Sequence, residues 1–421
     1  MGIKHYGWES GELPEIGAHS LAKHQILRRY VETYVQVLTA RPGIERLALT
    51  LVDGFAGGGE YADPRSNLLR PGSPQILIDA VRAGEAAVNA TRRKPVTIDA
   101  RYIFVEKHPR VAAYLAEVLR RRGDAPSADG AIQVLQGDFD AHLDSVISSI
   151  QSRGTAHRAI FVLDQYGYTD VPVRTLARIF RQLPNAEVFL TLAVGWITAY
   201  LPNAEEAAKK LGLPQETIAS LIAAEDEYLD VGNAERRPDL LAIQRILHCG
   251  FTPESGADFY TPFFIVSRES NRPYWFLHLA NSARANDVVK TLHWEIENHF
   301  EHFGGAGLTM LGYDPLADPD YTSQYGFQFD SAARERTCLA LGRELPARIA
   351  LAPNGISLAD LHASVCNETP ATQQLLAESI SQLAIAGELK TKGAKGEERR
   401  PSTLPRPTDI ISLPRQRRLI F

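Results

Sequence analysis

Short apolar runs alternate with amphipathic segments over roughly the first 200 residues of the chain. Each run holds four to seven residues rich in Val, Ile, Leu or Phe, which is typical of strands buried on both faces of a sheet. The segments between them, such as 74–83 and 109–122, have helical periodicity. This alternation predicts an α/β fold with a mainly parallel sheet and helices on both faces. The predicted strands are 47–52, 101–105, 132–135, 159–163 and 187–192.

Two later apolar runs predict a different pairing. Residues 259–266 and 274–279 flank the turn-rich residues 267–273, and this pattern indicates an antiparallel hairpin. The sheet is therefore expected to be doubly wound, with five parallel strands and a closing hairpin. NAD-binding sheets differ, because their sixth strand is parallel to the rest.

The remaining segments suggest a second domain. Residues 203–248 read as a helical insertion, and Val288, Leu292, Ile296 and Phe300 are spaced as one face of a final helix on the sheet. Residues 306–330 are rich in Gly, Asp, Pro and Tyr and read as a linker. Three helices and a two-stranded ribbon follow, which is the plan of a winged helix. The predicted domains are 1–305 and 331–421.

Composition places the chain among soluble globular proteins. Of its 421 residues, 44% are hydrophobic and 23% are charged. No apolar stretch approaches the ~20 residues that a membrane span needs, and the N-terminus lacks the apolar core of a signal peptide. We therefore expect a cytoplasmic protein.

Neither a disulfide framework nor a metal site is indicated. Cys249, Cys338 and Cys366 lie far apart and form no C-x-x-C pair. His293, His299 and His302 lack the adjacent acid of an H-E-x-x-H motif. No metal is assigned, and the three cysteines are expected to be inert.

Charge is distributed unevenly along the chain. Residues 387–421 carry nine Lys/Arg against four Asp/Glu, whereas the whole chain has a net charge of −5. A basic tail on an acidic body suits nucleic-acid contact, and it suits a merely solvated surface equally well.

The glycine-rich segment 53–59 directly follows the first predicted strand and reads Asp-Gly-Phe-Ala-Gly-Gly-Gly. Glycines let the backbone turn sharply and approach a ligand, and the amides can bind the carboxylate of an amino-acid moiety. The D-x-F-x-G-x-G pattern resembles the first motif of S-adenosylmethionine-dependent methyltransferases. A tight strand-to-helix connection is the plainer alternative. The candidate cofactor-binding residues here are Asp53, Phe55, Ala56, Gly57 and Gly59.

The loop after these glycines is long. Residues 60–72 precede Ser73 and Pro74, which we interpret as the N-cap and first position of a helix. We expect this loop to bulge over the mouth of the pocket.

Acidic residues follow the next two predicted strands. Glu106 ends the second strand, where a carboxylate can accept hydrogen bonds from both hydroxyls of a ribose. Asp138 follows the third strand and is a candidate acceptor for the exocyclic amine of adenine, with Phe139 as an apolar wall. The alternatives are a surface pair between Glu106 and a neighbouring cation and, for Asp138, an ordinary turn.

Asp164 and Tyr166 are the candidate catalytic residues, because they follow the fourth strand, where a doubly wound sheet places the reacting substrate. Asp164 can accept a hydrogen bond from a target amine, and Tyr166 can stack on a flat ring. The segment resembles the D-P-P-Y motif of amino-group methyltransferases, but Gln165 stands where proline is expected.

A closer resemblance covers most of residues 20–300. The segments that carry it are Lys23-His24 with Ile26-Leu27 and Tyr30, Val52 to Gly57, Gly72-Ser73-Pro74, and Asp164 with Tyr166-Gly167. The chain is similar here to the three-Cys-motif partner family (TcmP). The resemblance implies a class I methyltransferase-like domain, a C-terminal winged-helix-like module and association with a separate three-cysteine-motif protein.

Two functional hypotheses follow. The first is an S-adenosylmethionine-dependent methyltransferase whose acceptor is a nucleic acid, a protein or a small molecule. The second is a non-catalytic adaptor with the same fold that serves as a partner subunit or a nucleic-acid-binding subunit, which Gln165 favours because the stiffening prolines are missing.

Overall fold

A computed structural model describes residues 7–10, 12–64, 66, 68–165, 170–193, 212–215, 219, 250–266, 273–296, 300–302, 306–308 and 327–414. The chain forms two compact units, 1–223 with 250–282, and 224–249 with 283–421. The domain boundaries expected from sequence stay a prediction. Nearly all of the predicted helical insertion, 203–248, lies outside the described residues, as does most of the predicted linker.

A twisted sheet forms the centre of the first unit. Its five parallel strands stand in the order β5-β4-β1-β6-β7, and β9 and then β8 continue it on the β7 side as antiparallel neighbours. The predicted α/β class, with parallel strands and a closing hairpin, is therefore confirmed. The strands are β1 (Arg46–Asp53), β4 (Thr97–Glu106), β5 (Ile132–Gln136), β6 (Ala159–Leu163), β7 (Ala186–Ala193), β8 (Phe259–Val266) and β9 (Pro273–Ala280).

Most helices of this unit connect successive strands and bury one apolar face. In α4, for instance, Val111, Leu115 and Leu119 are buried at the four-residue spacing of a helix face. A small antiparallel pair, β2 (Glu60–Ala62) with β3 (Leu69–Pro71), occupies the predicted loop 60–72. The helices are α1 (Gly7–Ser10), α2 (Ala18–Thr39), α3 (Ser73–Asn89), α4 (Pro109–Arg121), α5 (Phe139–Gln151), α6 (Val173–Gln182) and α7 (Thr252–Ser255).

The first turn of α3 differs from the prediction. Its N-cap is Gly72, which makes no side-chain capping bond, and Ser73 is already the first helical residue. The Ser73 side chain instead hydrogen-bonds Asp53, at the end of β1. The buried carboxylate therefore takes the hydroxyl that capping would have used.

The first described element of the second unit is a helix, α8. The predicted apolar face ran to Phe300, but α8 ends at Ile296 and Phe300 starts a strand. Later helices have side-chain caps, and a three-stranded sheet in the order β12-β14-β13 follows them. The winged-helix assignment itself stays a prediction. The elements are α8 (Ala283–Ile296), β10 (Phe300–His302), β11 (Phe327–Gln328), α9 (Ser331–Ala350), β12 (Ile356–Ser357), α10 (Leu358–Val365), α11 (Gln373–Ile385), β13 (Lys390–Lys392) and β14 (Ile410–Ser412).

Polar contacts fasten α8 to the C-terminal helices. The Asp287 carboxylate accepts from the Gln373 amide at 2.7 Å, and the Trp294 indole donates to the Pro370 carbonyl at 3.0 Å. The Lys290 ammonium, fully buried, donates to a backbone carbonyl of the same unit. These bonds explain why α8 groups with the C-terminal residues. Among the described residues, no helix has the length and apolar character needed to cross a membrane.

Candidate functional site

A cavity of about 330 Å³ opens at the carboxyl ends of β1, β4, β5 and β6. It lies within the first unit, where the loops after these strands meet the N-terminal part of α2. Six predicted site residues line it, whereas Asp53, Ala56 and Gly59 do not, and Tyr166 lies outside the described residues. The six are Phe55, Gly57, Glu106, Asp138, Phe139 and Asp164.

The glycines of the loop after β1 are required by geometry. Gly57 and Gly59 have φ of +58° and +82°, in the left-handed region that other residues rarely adopt. A Cβ on Gly59 would also lie 2.8 Å from the Leu115 side chain. The loop can therefore turn this tightly only with glycine at these positions.

The amides at the start of this loop are bound within the protein. Each of four successive N–H groups donates to a neighbouring strand or to an acid of the site, which holds the loop in place. A ligand carboxylate would have to compete with these bonds, so the predicted binding of a carboxylate by the loop amides stays a prediction. The bonds are Gly54 N to Val162 O (2.9 Å), Phe55 N to Asp53 Oδ1 (3.1 Å), Ala56 N to Val105 O (3.0 Å) and Gly57 N to Glu106 Oε2 (2.9 Å).

Asp53 is a fully buried acid beneath the loop. Burial raises the pKa of this carboxyl to about 7, against hydrogen bonds from Ser73 and the Phe55 amide that lower it. The nearby acids Asp164 and Glu106 raise the pKa further. Asp53 thus supports the loop from below and changes its protonation near neutral pH.

Glu106 is held with its carboxylate at the cavity. Its Oε2 accepts from the Gly57 amide and its Oε1 accepts from the His108 amide, both at 2.9 Å. Each carboxylate oxygen can accept a second hydrogen bond. The side chain is therefore oriented by the protein and still able to accept from two hydroxyls.

The acid after β5 is placed differently from Glu106. Asp138 is exposed and forms an ion pair with Lys107 at 2.7 Å, although both residues line the cavity. Phe139 is buried and packs edge-on against Phe161 beneath the cavity floor. A Cβ at Gly54 would come within 2.9 Å of the Phe139 ring. The apolar wall is thus present, and the adenine-binding role of Asp138 stays a prediction.

Asp164 forms an ion pair with a lysine of helix α2. Lys23 Nζ lies 2.5 and 2.6 Å from the two oxygens of Asp164. Burial would raise the pKa of Asp164, but the Lys23 ammonium outweighs it and holds the pKa below its ordinary value. Asp164 is therefore an anion. No sequence motif predicts this role for Lys23, because its partner is 141 residues away.

Gln165 has a structural reason to replace proline. Its Oε1 accepts from the amides of Asp170 and Val171, at 3.0 and 3.1 Å, and its side chain is buried. These bonds tie the end of β6 to the residues just before α6. Gln165 therefore has structural partners of its own where the D-P-P-Y motif has proline.

Further wall residues were not found from sequence. Trp8 donates its indole N–H to the Glu60 carbonyl at 2.7 Å and meets the Tyr61 ring edge-on. His24 lies beside Lys23, and burial together with that cation lowers the pKa of His24 to about 4. Tyr61 belongs to β2, so the loop predicted to lie over the mouth contributes to the wall.

No cluster of three His, Cys, Asp or Glu side chains within the described ranges is placed to hold a metal ion. His293 is buried and stacks on Phe329 in the second unit. His299 lies outside the described residues. Of the histidines His293, His299 and His302, only His293 has a described side chain.

No protein-family model matches the sequence, and a search of curated proteins finds no relative. Solved structures resemble it at a distance. The protein LPL1258 from Legionella pneumophila is 12% identical with a TM-score of 0.34, covering 64% of this chain and 91% of that one. Cofactor-bound Rv0187 from MTB is 14% identical with a TM-score of 0.34, covering 65% and 86%.

A third structure is the O-methyltransferase TomG from Streptomyces achromogenes, solved in complex with SAM. It is 11% identical with a TM-score of 0.29, covering 66% of this chain and 95% of that one. Likenesses at this level add no evidence on function. The fold class rests on the order and direction of the strands, which are those of the class I methyltransferase-like doubly wound sheet.

Proposed function

We propose that the chain is an S-adenosylmethionine-dependent methyltransferase that uses the cavity at the carboxyl ends of β1, β4, β5 and β6. The observation that supports this proposal is the placement of Glu106. Its carboxylate is tied to the Gly57 amide of the glycine loop and to the His108 amide, and it retains acceptor capacity for two ribose hydroxyls.

The other residues also fit such a cofactor. Acids around the cavity suit its positive sulfonium and ammonium groups, and Asp53 adds a carboxyl that ionises near neutral pH. Phe55 and Phe139 supply apolar surface for an adenine ring. When bound, S-adenosylmethionine would supply an electrophilic methyl group, and the protein would contribute alignment and exclusion of water.

Isothermal titration with S-adenosylmethionine and S-adenosylhomocysteine tests the proposal. We expect binding of both, and at least about tenfold weaker binding in Glu106→Gln, because a hydrogen bond to a charged group is lost. Glu117→Gln is the matched control, since this exposed acid of α4 pairs with Arg120 outside the cavity. The absence of heat with either ligand at high concentration would refute the cofactor assignment.

The rival function is a non-catalytic adaptor, which the missing prolines would favour. The bonds of Gln165 to the Asp170 and Val171 amides weaken that argument, because they give Gln165 a structural role of its own at the end of β6. The resemblance to the TcmP family supports a separate three-cysteine-motif protein as partner. Tritiated methyl transfer to DNA, RNA and protein, with the partner present, separates the two functions: incorporation that Glu106→Gln reduces supports the enzyme.

A further inference from the structure

At the end of β6, the Lys23 ammonium forms an ion pair with Asp164 and contacts both of its carboxylate oxygens. One nitrogen, Lys23 Nζ, lies within 2.6 Å of both oxygens, so it sits between them. The pair lines the cavity, and the Asp164 side chain is 32% exposed against 8% for Lys23. Each oxygen of Asp164 retains a second acceptor position, but an acceptor amine would find the charge of this carboxylate already compensated by a cation.

Lys23 still has hydrogen-bonding capacity. An ammonium carries three N–H donors, and the hydrogen bonds of Lys23 to described residues are the two to Asp164. Lys23 therefore brings to the cavity a positive charge whose position Asp164 fixes.

A second donor follows directly in sequence. The Oε1 atom of Gln165 accepts two backbone amides, which fixes the orientation of the side-chain amide. Its Nε2 is buried and has no hydrogen-bond partner among the described residues, and Gln165 also lines the cavity. At the end of the cavity near β6, the Lys23 ammonium and the Gln165 Nε2 atom thus stand beside a carboxylate whose charge Lys23 compensates.

The charge change in methyl transfer decides which acceptor such a site suits. Transfer to a neutral amine leaves a new positive charge beside Lys23, which is unfavourable at short range. Transfer to an oxygen anion removes one negative charge from the acceptor and creates no cation, and the anion is attracted to the ammonium before reaction. Donors aimed at a negative oxygen also form stronger hydrogen bonds than donors to neutral groups.

We propose that Lys23 is an acceptor-site residue and that it selects an acceptor whose reacting atom is an anionic oxygen, as in carboxylates, phenolates and phosphate monoesters. The proposal rests on the proposed function and specifies its acceptor. In the reaction, a lone pair of the acceptor oxygen forms the O–CH₃ bond. The S–CH₃ bond breaks, its electron pair stays on sulfur as a neutral thioether, and no proton moves because the acceptor enters as an anion.

The test compares two probes that differ in charge but share a ring, benzoate and benzylamine. Saturation-transfer NMR on the full chain, saturated with S-adenosylhomocysteine, measures their binding without catalysis. We expect benzoate to bind and benzylamine to give no signal. Phenyl phosphate and 4-nitrophenolate, run in parallel, rank the oxyanion classes.

Variants assign the effect to the ion pair. Lys23→Met should weaken the binding of benzoate at least about tenfold, because a charge-assisted hydrogen bond is lost. Lys23→Arg keeps the charge and should stay within a fewfold of the wild type. Asp164→Asn should strengthen the binding of benzoate severalfold, because it removes the competing anion. A general loss of structure would weaken binding and so would not produce this change.

Several outcomes would overturn the proposal. They are benzylamine binding as well as benzoate, no benzoate signal on the wild-type protein, unchanged benzoate affinity in Lys23→Met, or no gain in Asp164→Asn. The comparison of benzoate with benzylamine on the wild-type protein tests the acceptor class even if a variant fails to fold. Binding of S-adenosylhomocysteine, measured by calorimetry, separates the two ideas: its absence refutes the proposed function, whereas its presence with the wrong probe preference refutes only the acceptor class.

Discussion

The indole of Trp8 lies against Gly58 so closely that a Cβ at Gly58 would stand 2.6 Å from the ring. Real Cβ atoms do not approach other atoms to that distance, so glycine is needed here for packing. Trp8 lines the cavity, and its N–H donates to the Glu60 carbonyl. The glycine loop and the aromatic wall therefore form one packed unit.

Gly58→Ala should displace Trp8 and weaken the binding of S-adenosylhomocysteine about tenfold. The methyl group collides with the ring, so either the indole or the loop must move, and both help to form the cavity. Calorimetry measures the affinity, and tryptophan fluorescence reports the displacement. Gly43→Ala is the matched control, because a Cβ there meets nothing within 4 Å. Unchanged affinity and fluorescence in Gly58→Ala would contradict the packing described.

Asp53→Asn should stabilise the protein above neutral pH. The folded-state pKa of about 7 lies above the ordinary value of 3.8. The stability that protonated Asp53 contributes is therefore present below about pH 4 and lost as pH rises through 7. The loss amounts to at most about 4 kcal/mol, since each pKa unit corresponds to about 1.4 kcal/mol.

Denaturant unfolding of wild type and Asp53→Asn at pH 5 and pH 8 checks this prediction. The advantage of the variant should grow between the two values, because the side-chain amide does not ionise. Asp129→Asn, at an exposed position, should show no such trend. An advantage that is equal at both values would mean that Asp53 does not ionise in this range.

Gln165→Ala should cost about 2 kcal/mol of unfolding free energy while leaving S-adenosylhomocysteine binding within a fewfold. The change leaves the Asp170 and Val171 amides without their acceptor, and unpaired buried donors are costly. Gln165→Glu keeps an acceptor oxygen at the same reach and should recover most of the loss. Gln151→Ala, whose bond to the Gln182 carbonyl is exposed, is the control and should cost less than about 0.5 kcal/mol. Equal stability of Gln165→Ala and wild type would show that the turn does not depend on this side chain.

The strands were predictable because burial leaves a local signature. The run 159–163 is buried at every residue and bounded by polar segments, so the sequence alone locates it, and the order of motifs along parallel strands locates the cavity. A switch from parallel strands to a hairpin was visible in the turn residues between the last two runs. Each of these signals lies within a few residues of the element it predicts.

Contacts between distant segments left no such signal. Lys23 and Asp164 are 141 residues apart, and no local sequence feature near either residue indicates that they pair. Ser73 looked like an N-cap because its local sequence favours one, but a buried acid from β1 competes for its hydroxyl. Phe300 continued a four-residue spacing after the helix had ended, since periodicity does not report where a chain turns.

The basic loop between β13 and β14 provides the last prediction. Arg399 is held by Asp409, with its Nε and Nη2 at 3.2 and 2.9 Å from the two carboxylate oxygens, so it serves the loop itself. Helix α11 has Gln, Glu and Ser as its polar residues and no Lys or Arg with which to contact phosphates in a groove. We therefore expect this module to dock a protein, with no salt-sensitive nucleic-acid binding by the full chain. Within residues 392–406, the exposed cations are Lys392, Lys395, Arg400 and Arg406.

Fluorescence anisotropy with short duplex and single-stranded probes at ~50 mM salt checks the expectation, because phosphate-driven affinity is strongest at low salt. Affinity that falls by orders of magnitude at ~200 mM would instead establish nucleic-acid binding. In that case Gln substitutions at the four exposed cations should abolish the affinity. Arg399→Gln should not, because its guanidinium is engaged by Asp409, and this difference distinguishes phosphate contact by the loop from a loss of its structure.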